Sequence, residues 1–411
     1  MAGGMVIIGG GECGVRAALA LREHDHHVPI TLVGAEKYLP YERPPLSKEG
    51  LADDTAEGPR TIATAERLAG ASITIGCGKA ARTIDRHAHT VGFDDGTAIP
   101  YDRLLIATGA EPRPLAIAGP ATGRIGYFRT YDDALRLRPF LAPRRHIAII
   151  GGGFIGLEIA AGARKRGAAV TVIEALPRVL SRVVPGEIAE VIEARHLAEG
   201  VALYCSARVE GIEQQADAVA VTLGDGRRVL ADFLLIGIGA VPAVGLAAAA
   251  GLTVDNGVVV DETLRTSDPE IFAAGDCCSF PLPVYGGRRV RLECWRNALD
   301  QGALAARNML GGTEPISALP WFWSDQYDLT LQIAGLPDQG TATVRRDTGN
   351  GSFILFHLDG AGHLVAASGI GHGNAVAKDI RVAEMLIQKG ARPDIHLLAE
   401  ASTKLKSLLA A

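Results

Sequence analysis

Apolar runs alternate with amphipathic stretches along the first half of the chain. The first such series consists of a strand at Met5–Ile8, a glycine-rich turn, a helix at Val15–His24 and a strand at Ile30–Val33. The same order recurs later, with strands at Ile147–Ile150 and Val170–Ile173 on either side of a helix at Leu157–Arg166. Units of this kind are typical of doubly wound α/β domains with parallel sheets. The pattern therefore predicts two such units in one chain.

The hydrophobic pattern changes in the second half of the chain. Strand-like runs return at Phe233–Ile238, Val258–Val260 and Ile271–Ala274. Beyond Thr313, alternating segments lie at Thr330–Ile333, Ala342–Arg345, Phe353–Leu358 and Leu364–Ser368, and helical patterns follow near Lys378–Lys389 and Asp394–Leu409. Since alternation with a period of two is typical of half-buried strands, we predict a C-terminal α+β domain built on an antiparallel sheet.

Length, composition and charge narrow the class of protein. With 411 residues the chain is too long for one hydrophobic core, so two or three domains are expected. The net charge of −5 argues against a general nucleic-acid binder. No apolar run reaches the ~18 residues of a membrane span, and the N-terminal segment lacks the features of a signal peptide. We therefore expect a cytoplasmic protein that binds neither nucleic acid nor membranes.

The cysteines carry no spacing that suggests a metal site or a disulfide framework. The six are Cys13, Cys77, Cys205, Cys277, Cys278 and Cys294, and none form a C-x-x-C pair. Redox-active and zinc-binding sites of cytosolic proteins usually contain such pairs. We expect reduced thiols without a redox role, and no bound metal.

Two glycine motifs of the form G-x-G-x-x-G each follow a predicted strand and open a predicted helix. Their glycines are Gly9, Gly11 and Gly14 in the first motif and Gly151, Gly153 and Gly156 in the second. Glycines at these positions allow a tight turn and a close approach of the backbone to a pyrophosphate, which then faces the helix N-terminus. Two motifs in this context predict two bound dinucleotides, the alternative being two purely structural turns.

Carboxylates and strand ends supply further candidate contacts. Glu174 directly follows the strand Val170–Ile173, whereas Gly34 and Ala35 separate Glu36 from its strand. An acid near these places accepts hydrogen bonds from ribose hydroxyls, and the alternative for each is a solvated loop carboxylate. Two later strands end in Thr108-Gly109 and in Gly275-Asp276, where the aspartate could accept hydrogen bonds from the ribitol hydroxyls of a flavin.

Together these motifs resemble flavoprotein reductases that bind two dinucleotides. Ala107-Thr108-Gly109, Ile236–Ala240 and Ala274-Gly275-Asp276 accompany the two glycine motifs. More narrowly, Tyr41–Lys48 (YERPPLSK), Gly151–Glu158, Arg291–Ala298 (RLECWRNA) and Pro320–Gln326 (PWFWSDQ) resemble the NADH:ferredoxin reductases of bacterial cytochrome P450 and aromatic-ring dioxygenase systems. The resemblance extends over essentially the whole chain, in order.

The resemblance implies an α/β fold with two Rossmann-like dinucleotide-binding domains and an α+β C-terminal domain, a glutathione-reductase-like architecture. The implied FAD-binding domain comprises residues 1–110 and 232–313, the NADH-binding domain residues 111–231, and the C-terminal domain residues 314–411. The implied cofactor-binding residues are Gly9, Gly11, Gly14, Glu36, Arg43, Lys48, Thr108, Gly109, Arg129, Gly151, Gly153, Ile155, Gly156, Glu174, Gly237, Gly239, Asp276, Glu293, Trp295 and Trp323.

The resemblance also implies the reaction. A hydride passes from NADH to FAD, which then releases single electrons to an acidic [2Fe-2S] ferredoxin. The implied catalytic groups are Lys48, beside the flavin, and its partner Glu158; the alternatives are a surface lysine and a carboxylate that stabilises a helix dipole. Because the chain is itself net negative, docking of an acidic partner requires a local positive face, for which Arg288, Arg289 and Arg296 are the candidates.

Three other functions remain open from the sequence. A rubredoxin or quinone reductase could share every motif described above. A thiol-dependent reductase of the same fold needs a reactive cysteine early in the chain, and the segment Tyr41–Lys48 contains none. A flavin-binding interaction protein would turn over slowly with any electron acceptor.

Overall fold

The computed structural model describes residues 3–52 and 58–409 of the chain. These residues form ten α-helices: α1 (Glu12–His24), α2 (Glu49–Ala52), α3 (Ala65–Gly70), α4 (Tyr131–Leu137), α5 (Phe154–Lys165), α6 (Gly186–Ala198), α7 (Gly245–Ala249), α8 (Trp295–Met309), α9 (Ala377–Gln388) and α10 (Ile395–Ala399).

The strands, in chain order, are β1 (Gly4–Ile8), β2 (Ile30–Gly34), β3 (Ile73–Cys77), β4 (Ala81–Asp85), β5 (Thr90–Phe93), β6 (Ala98–Ile106), β7 (Ala110–Pro112), β8 (Ile125–Gly126), β9 (His146–Ile150), β10 (Ala169–Ile173), β11 (Ala202–Tyr204), β12 (Val209–Gln214), β13 (Val219–Leu223), β14 (Arg228–Ala231), β15 (Phe233–Ile236), β16 (Ala240–Pro242), β17 (Val258–Val259), β18 (Ile271–Ala273), β19 (Cys278–Leu282), β20 (Arg288–Val290), β21 (Trp321–Gln326), β22 (Leu329–Gly335), β23 (Ala342–Gly349), β24 (Ser352–Leu358) and β25 (Leu364–His372).

The chain divides into two compact units, each assembled from separate segments. The first unit comprises Met1–Pro44, Ala56–Glu111 and Val241–Pro320, and the second comprises Pro45–Thr55, Pro112–Ala240 and Trp321–Ala411. Each unit contains one of the two glycine motifs.

The first unit is built on a sheet in which the strand order is β3-β2-β1-β6-β5-β4, with β18 paired to β6. Strands β1, β2, β3, β6 and β18 run parallel, and β4 and β5 extend the sheet as an antiparallel hairpin. All five residues of β1 are buried, as expected for a central parallel strand covered on both faces. Helix α1 packs closely on α8: a Cβ at Gly302 would lie 2.4 Å from the carbonyl oxygen of Cys13.

The second unit contains a parallel sheet with the strand order β11-β10-β9-β15-β8 and a small antiparallel sheet, β12-β13-β14. Its third sheet is antiparallel, with the order β21-β22-β25-β24-β23, and is formed by residues 321–372. One hydrophobic cluster joins residues of α5 and α6 to residues of this antiparallel sheet, among them Leu157, Ile188, Leu331 and Phe353. The C-terminal sheet therefore shares a core with the helices of the nucleotide-binding fold.

Each predicted strand corresponds to an observed one, although β23 and β25 run longer than predicted. The hydrophobic pattern does not predict β3–β5 or β11–β14. Four of these seven strands, β3, β4, β11 and β12, bury at most one residue each; in β12 none of the six residues is buried. Exposure weakens the alternation on which a sequence-based prediction depends.

The predicted helix at Asp394–Leu409 is wrong. Asp394 caps α10, which ends at Ala399, and helical structure returns only as a 3₁₀ turn at Leu405–Leu409. The buried guanidinium of Arg346 donates to the carbonyl oxygens of Leu398, Glu400, Ala401 and Thr403 at 2.6–3.2 Å. The carbonyl oxygen of Glu400 also accepts from the amide of Thr403 at 3.0 Å, and the bonds to Arg346 satisfy the carbonyl oxygens of this segment without a continuing α-helix.

None of the helices among the described residues is both long and apolar enough to cross a bilayer. Within the same residues, no group of three or more His, Cys, Asp or Glu side chains could hold a metal ion.

Candidate dinucleotide and redox site

In the first glycine motif, two glycines are required by the chain itself and one faces open space. Gly9 has φ +127°, and a Cβ there would lie 2.1 Å from the carbonyl oxygen of Ala107. A Cβ at Gly14 would lie 1.9 Å from the carbonyl oxygen of Gly9. In contrast, a Cβ at Gly11 would meet no described atom within 4 Å. The outer glycines therefore close the turn, and the middle one leaves its backbone accessible to a ligand.

The second motif has the same construction. Gly151 has φ +110°, and a Cβ there would lie 2.3 Å from the carbonyl oxygen of Gly237. A Cβ at Gly156 would lie 2.3 Å from the carbonyl oxygen of Gly151, while one at Gly153 would meet no described atom within 4 Å. Gly237 thus belongs to the packing of this turn, and Gly239, two residues later, adopts φ +111°.

Both turns end as helix N-termini without a side-chain cap. Gly11 precedes α1 and Gly153 precedes α5, each with an extended backbone, and no side chain of the described residues caps either helix. The first amide groups of these helices, and the dipole behind them, favour an anion. Two pyrophosphates therefore fit the residues present, one in each unit.

Glu174 holds the second turn in place. Its Oε2 accepts a hydrogen bond from the amide of Gly152 at 2.7 Å, and its Oε1 accepts one from the amide of Leu176 at 2.8 Å. The carbonyl oxygen of Gly152 in turn accepts from the amide of Leu180 at 2.9 Å. The predicted ribose acceptor thus lies at the carboxyl end of β10, against the glycine turn.

In the first unit, Glu36 lies beyond the end of β2 and is engaged by side chains of the Tyr41–Lys48 segment. Its Oε1 accepts from Nη2 of Arg43 at 2.7 Å, and its Oε2 accepts from the hydroxyl of the buried Tyr41. The structure therefore brings two predicted FAD ligands, Glu36 and Arg43, into direct contact.

The remaining predicted residues occupy strand and helix ends. The hydroxyl of Thr108 donates to the carbonyl oxygen of Ala243 at 2.7 Å, and Gly109 adopts φ +73°. Asp276 lies in a 3₁₀ turn at Gly275–Cys277. Trp295 is the first residue of α8 and hydrogen-bonds the carboxylate of Glu12. The other three are Glu293, which accepts from Arg291, Arg129, which immediately precedes the capping residue of α4, and Ile155, which is exposed on α5.

Lys48 lies in a cluster of polar groups within the second unit. Its ammonium nitrogen is 3.6 Å from Oε1 of Glu158 and 3.0 Å from Oδ2 of Asp325. The same nitrogen lies over the ring of Trp323, 5.0 Å from its centroid, and the indole Nε1 of Trp323 donates to Oδ2 of Asp325 at 3.0 Å. The predicted groups Lys48, Glu158 and Trp323 are therefore neighbours, although Asp325 is the closer carboxylate.

Glu158 is buried on α5 and accepts hydrogen bonds from two hydroxyls. Ser47 donates to its Oε2 at 2.5 Å and Ser324 donates to its Oε1 at 2.6 Å. Burial raises the pKa of Glu158, and nearby Asp325 acts in the same direction; the Lys48 ammonium and the hydroxyls of Ser324 and Ser47 lower it. Sequence reasoning missed Ser47, Ser324 and Asp325. The hydrophobic pattern gives no signal for Ser324, because the buried positions of β21 carry the polar residues Ser324 and Gln326 whereas its aromatic residues are only half-buried.

The thiols of the described residues have no environment that favours a thiolate. Cys13, Cys277 and Cys278 are buried, and burial raises the pKa of each. Burial also raises the pKa of Cys294 to about 12. Reactive cysteines require the opposite shift, so these four thiols are poor candidates for redox chemistry.

Comparison with known proteins gives a consistent result. The model of the pyridine nucleotide-disulphide oxidoreductase family matches residues 4–302, and the reductase C-terminal model matches residues 321–409. The chain is 42% identical to a ferredoxin–NAD(+) reductase component of the anthranilate 1,2-dioxygenase system of Burkholderia cepacia, covering 98% of each chain. It is 39% identical to a rubredoxin–NAD(+) reductase of Pseudomonas putida, covering 80% of this chain and 86% of the relative.

A solved structure agrees with these relatives. Putidaredoxin reductase, crystallised in covalent complex with putidaredoxin, superimposes with a TM-score of 0.93 at 36% identity, covering 99% of this chain and 98% of that one. The fold class predicted from sequence and the cofactors FAD and NADH are confirmed by these matches. On the extent of the family match and on these identities, the chain belongs to the pyridine nucleotide-disulphide oxidoreductase family.

Proposed function

We propose that this protein is an NADH-dependent flavoprotein reductase that passes single electrons to a [2Fe-2S] ferredoxin of a cytochrome P450 or ring-hydroxylating dioxygenase system. The observation that carries the proposal is the cluster of Lys48, Glu158, Asp325 and Trp323, which offers a charged group for a flavin without offering a thiol. Bound FAD would supply the conversion of a two-electron hydride transfer into two one-electron steps.

The residues of the chain have the following proposed roles. Residues 1–110 and 232–313 bind FAD, residues 111–231 bind NADH, and residues 314–411 form the C-terminal domain. The glycine turns and the N-termini of α1 and α5 hold the two pyrophosphates. Lys48 presents its ammonium group to the flavin and stabilises negative charge there, and Glu158 and Asp325 fix the position of that ammonium.

Glu174 is the proposed determinant of cofactor choice. Its carboxylate is fixed by two backbone amides at the end of β10, where it can also accept from the adenosine ribose. The 2′-phosphate of NADPH would be repelled there. Arg178, the nearest basic residue of the following loop, donates its guanidinium to the carbonyl oxygens of Val179 and Val184 and is thereby occupied.

The proposed partner is an acidic ferredoxin that docks on a positive face of the first unit. Arg288 is exposed and Arg296 is half-buried, and both remain candidates for this face. The guanidinium of Arg289 donates to the carbonyl oxygens of Val260 and Ser279 and so has a structural role. Arg296 lies 3.7 Å from Asp300, one turn further along α8.

Cytochrome c reduction measured with a [2Fe-2S] ferredoxin, with a rubredoxin and without either protein tests this function. We expect NADH-driven turnover to depend on the ferredoxin and to weaken as salt rises, through the KM for ferredoxin, because salt screens exposed charges. Replacing Arg288 and Arg296 by Gln should raise that KM. The matched control replaces Arg60 and Arg82, whose side chains are 67% and 66% exposed elsewhere on the same unit.

The outcomes separate the alternatives. Preferential turnover with rubredoxin would assign the chain to rubredoxin reductases. Slow turnover with every acceptor would favour a flavin-binding interaction protein. A ferredoxin KM that changes equally in the test and control variants would refute the docking face but not the reductase function.

A further inference from the structure

A line of polar side chains, buried except for the half-buried Tyr327 at its far end, leads from Glu158 through the second unit. It consists of Ser324 and Gln326 on β21, His196 on α6 and Tyr327 in the hairpin after β21, and is called the polar relay below. Successive heavy-atom distances from Glu158 are 2.6 Å to Ser324, 3.2 Å to Gln326, 2.8 Å to His196 and 3.4 Å to Tyr327. Ser324, Gln326 and His196 are each at most 3% exposed.

Every hydrogen bond of the relay donates toward Glu158. The hydroxyl of Ser324 donates to Glu158 Oε1, and the amide nitrogen of Gln326 donates to the hydroxyl oxygen of Ser324. The amide oxygen of Gln326 can only accept, so His196 must carry its proton on Nε2. Nδ1 of His196 is then an acceptor, and the hydroxyl of Tyr327 donates to it. Four donors in one direction polarise one another and favour negative charge at the end of the chain.

Tyr327 is the first residue of the two-residue turn that joins β21 to β22. Tyr327 has φ +59°, a conformation that is rare and costly for an aromatic residue. This conformation places its ring edge-on to His196, with centroids 5.0 Å apart, and under the guanidinium of Arg195 at 4.8 Å. The positive φ is what a two-residue turn requires at its first position, and the ring contacts follow from the place of this half-buried residue beside α6.

We propose that the polar relay keeps Glu158 ionised and thereby holds the Lys48 ammonium in its working position, which makes Gln326 and His196 positioning residues for the reaction. The inference rests on the proposed role of Lys48 toward the flavin. Without the relay, the hydroxyl of Ser324 is free to turn away from Glu158, and desolvation then favours the neutral acid. A neutral Glu158 no longer attracts Lys48, which is left with the half-exposed Asp325 alone.

Other charged groups surround both ends of the polar relay and influence the pKa values of Glu158 and His196. Lys48 and Asp325 face Glu158. Around His196 and Tyr327 lie Arg195, Glu199 and Lys165. Burial lowers the pKa of His196, in keeping with a neutral ring whose Nδ1 accepts a hydrogen bond.

The test is a pH titration of Glu158 in the FAD-loaded protein. Glutamate labelled with ¹³C at the carboxyl carbon gives one signal per residue, and the difference from Glu158→Gln identifies the signal of Glu158. In Gln326→Leu we expect the proton affinity of Glu158 to rise about tenfold, as appropriate for the loss of support to a charged hydrogen bond. The limiting rate of flavin reduction by NADH should fall, whereas the NADH concentration at half-saturation should not change.

A pair of variants at His196 keeps the proposal falsifiable if Gln326→Leu does not fold. His196→Gln retains a donor for the amide oxygen of Gln326, whereas His196→Leu removes it, and both lose the ring. We expect His196→Leu to raise the proton affinity of Glu158 and His196→Gln to restore it toward the wild-type value. His357→Leu is the control, because His357 is also buried in the second unit but bonds to Ser368 instead.

The possible results have distinct meanings. An unchanged Glu158 titration in folded Gln326→Leu, or equal titrations in the two His196 variants, overturns the relay. The titration is measured without ferredoxin, so a wrong assignment of the electron acceptor leaves it intact. A wild-type flavin-reduction rate in Lys48→Met would overturn the role of Lys48, even if the relay does control the charge of Glu158.

Discussion

Replacing Lys48 by Met removes the cation from a buried pair and leaves the surrounding carboxylates in place. The side chains of Lys48 and Glu158 are 15% and 6% exposed, so most of the screening by water is absent. Breaking a buried ion pair typically costs about 3–5 kcal/mol of unfolding free energy. We expect about 3 kcal/mol at pH 8, since the hydroxyls of Ser47 and Ser324 still bond to the carboxylate of Glu158.

The cost of Lys48→Met should depend on pH in a defined direction. Without Lys48, the folded pKa of Glu158 rises further above that of the unfolded chain, so the folded state binds the extra proton. Stability therefore increases as pH falls through the raised pKa, by up to about 1.4 kcal/mol per pH unit. The destabilisation should consequently be largest at pH 8 and smaller near pH 5.5.

Urea unfolding followed by tryptophan fluorescence, at one fixed FAD concentration, measures this cost, because bound FAD itself stabilises the folded protein. Lys79→Met is the matched control: Lys79 lies 2.9 Å from Asp95, but both side chains are about 40% exposed, so water screens the pair and the loss should be much smaller than in Lys48→Met. Stopped-flow reduction by NADH should also slow in Lys48→Met while FAD stays bound. A pH-independent loss below ~1 kcal/mol, with the wild-type reduction rate, would refute the reasoning.

Three further predictions concern other parts of the chain. NADH should exceed NADPH in kcat/KM by at least about tenfold, or ~1.4 kcal/mol, and Glu174→Gln should narrow the ratio; equal values in the wild type would remove Glu174 as the discriminator. Arg346→Met should raise hydrogen exchange in residues 395–409, because four carbonyl oxygens lose their bonds to the guanidinium. Arg346→Lys should restore only part of the protection, because lysine lacks the guanidinium fork. Unchanged exchange in Arg346→Met would contradict this role. Burial lowers the pKa of His357 to about 4, so between pH ~6.5 and ~4 the unfolded chain binds a proton that the folded chain does not. The unfolding free energy of the wild type should therefore decrease as the pH falls from ~6.5 to ~4, and that of His357→Gln should decrease less.

The sequence by itself determined the repeated order of strand, glycine turn, helix and strand. That order is local, because a glycine turn and its helix lie within a few residues, and the packing of each turn explains its outer glycines. Glu174 was also predictable, since it directly follows a strand that the hydrophobic pattern identifies. The pairing of Lys48 with Glu158 came only from resemblance to a family, because nothing in the local sequence joins the two positions.

Only the tertiary structure decided how the charged cluster is supported. Ser47 and Glu158 are 111 residues apart in sequence, and Lys48 and Asp325 are 277 residues apart, so no local periodicity relates them. The same is true of Arg346, whose bonds to carbonyl oxygens more than fifty residues later end the helix that the local pattern extends to Leu409. Local hydrophobic patterns report which face of an element is buried, but they do not report which distant polar group will meet it there.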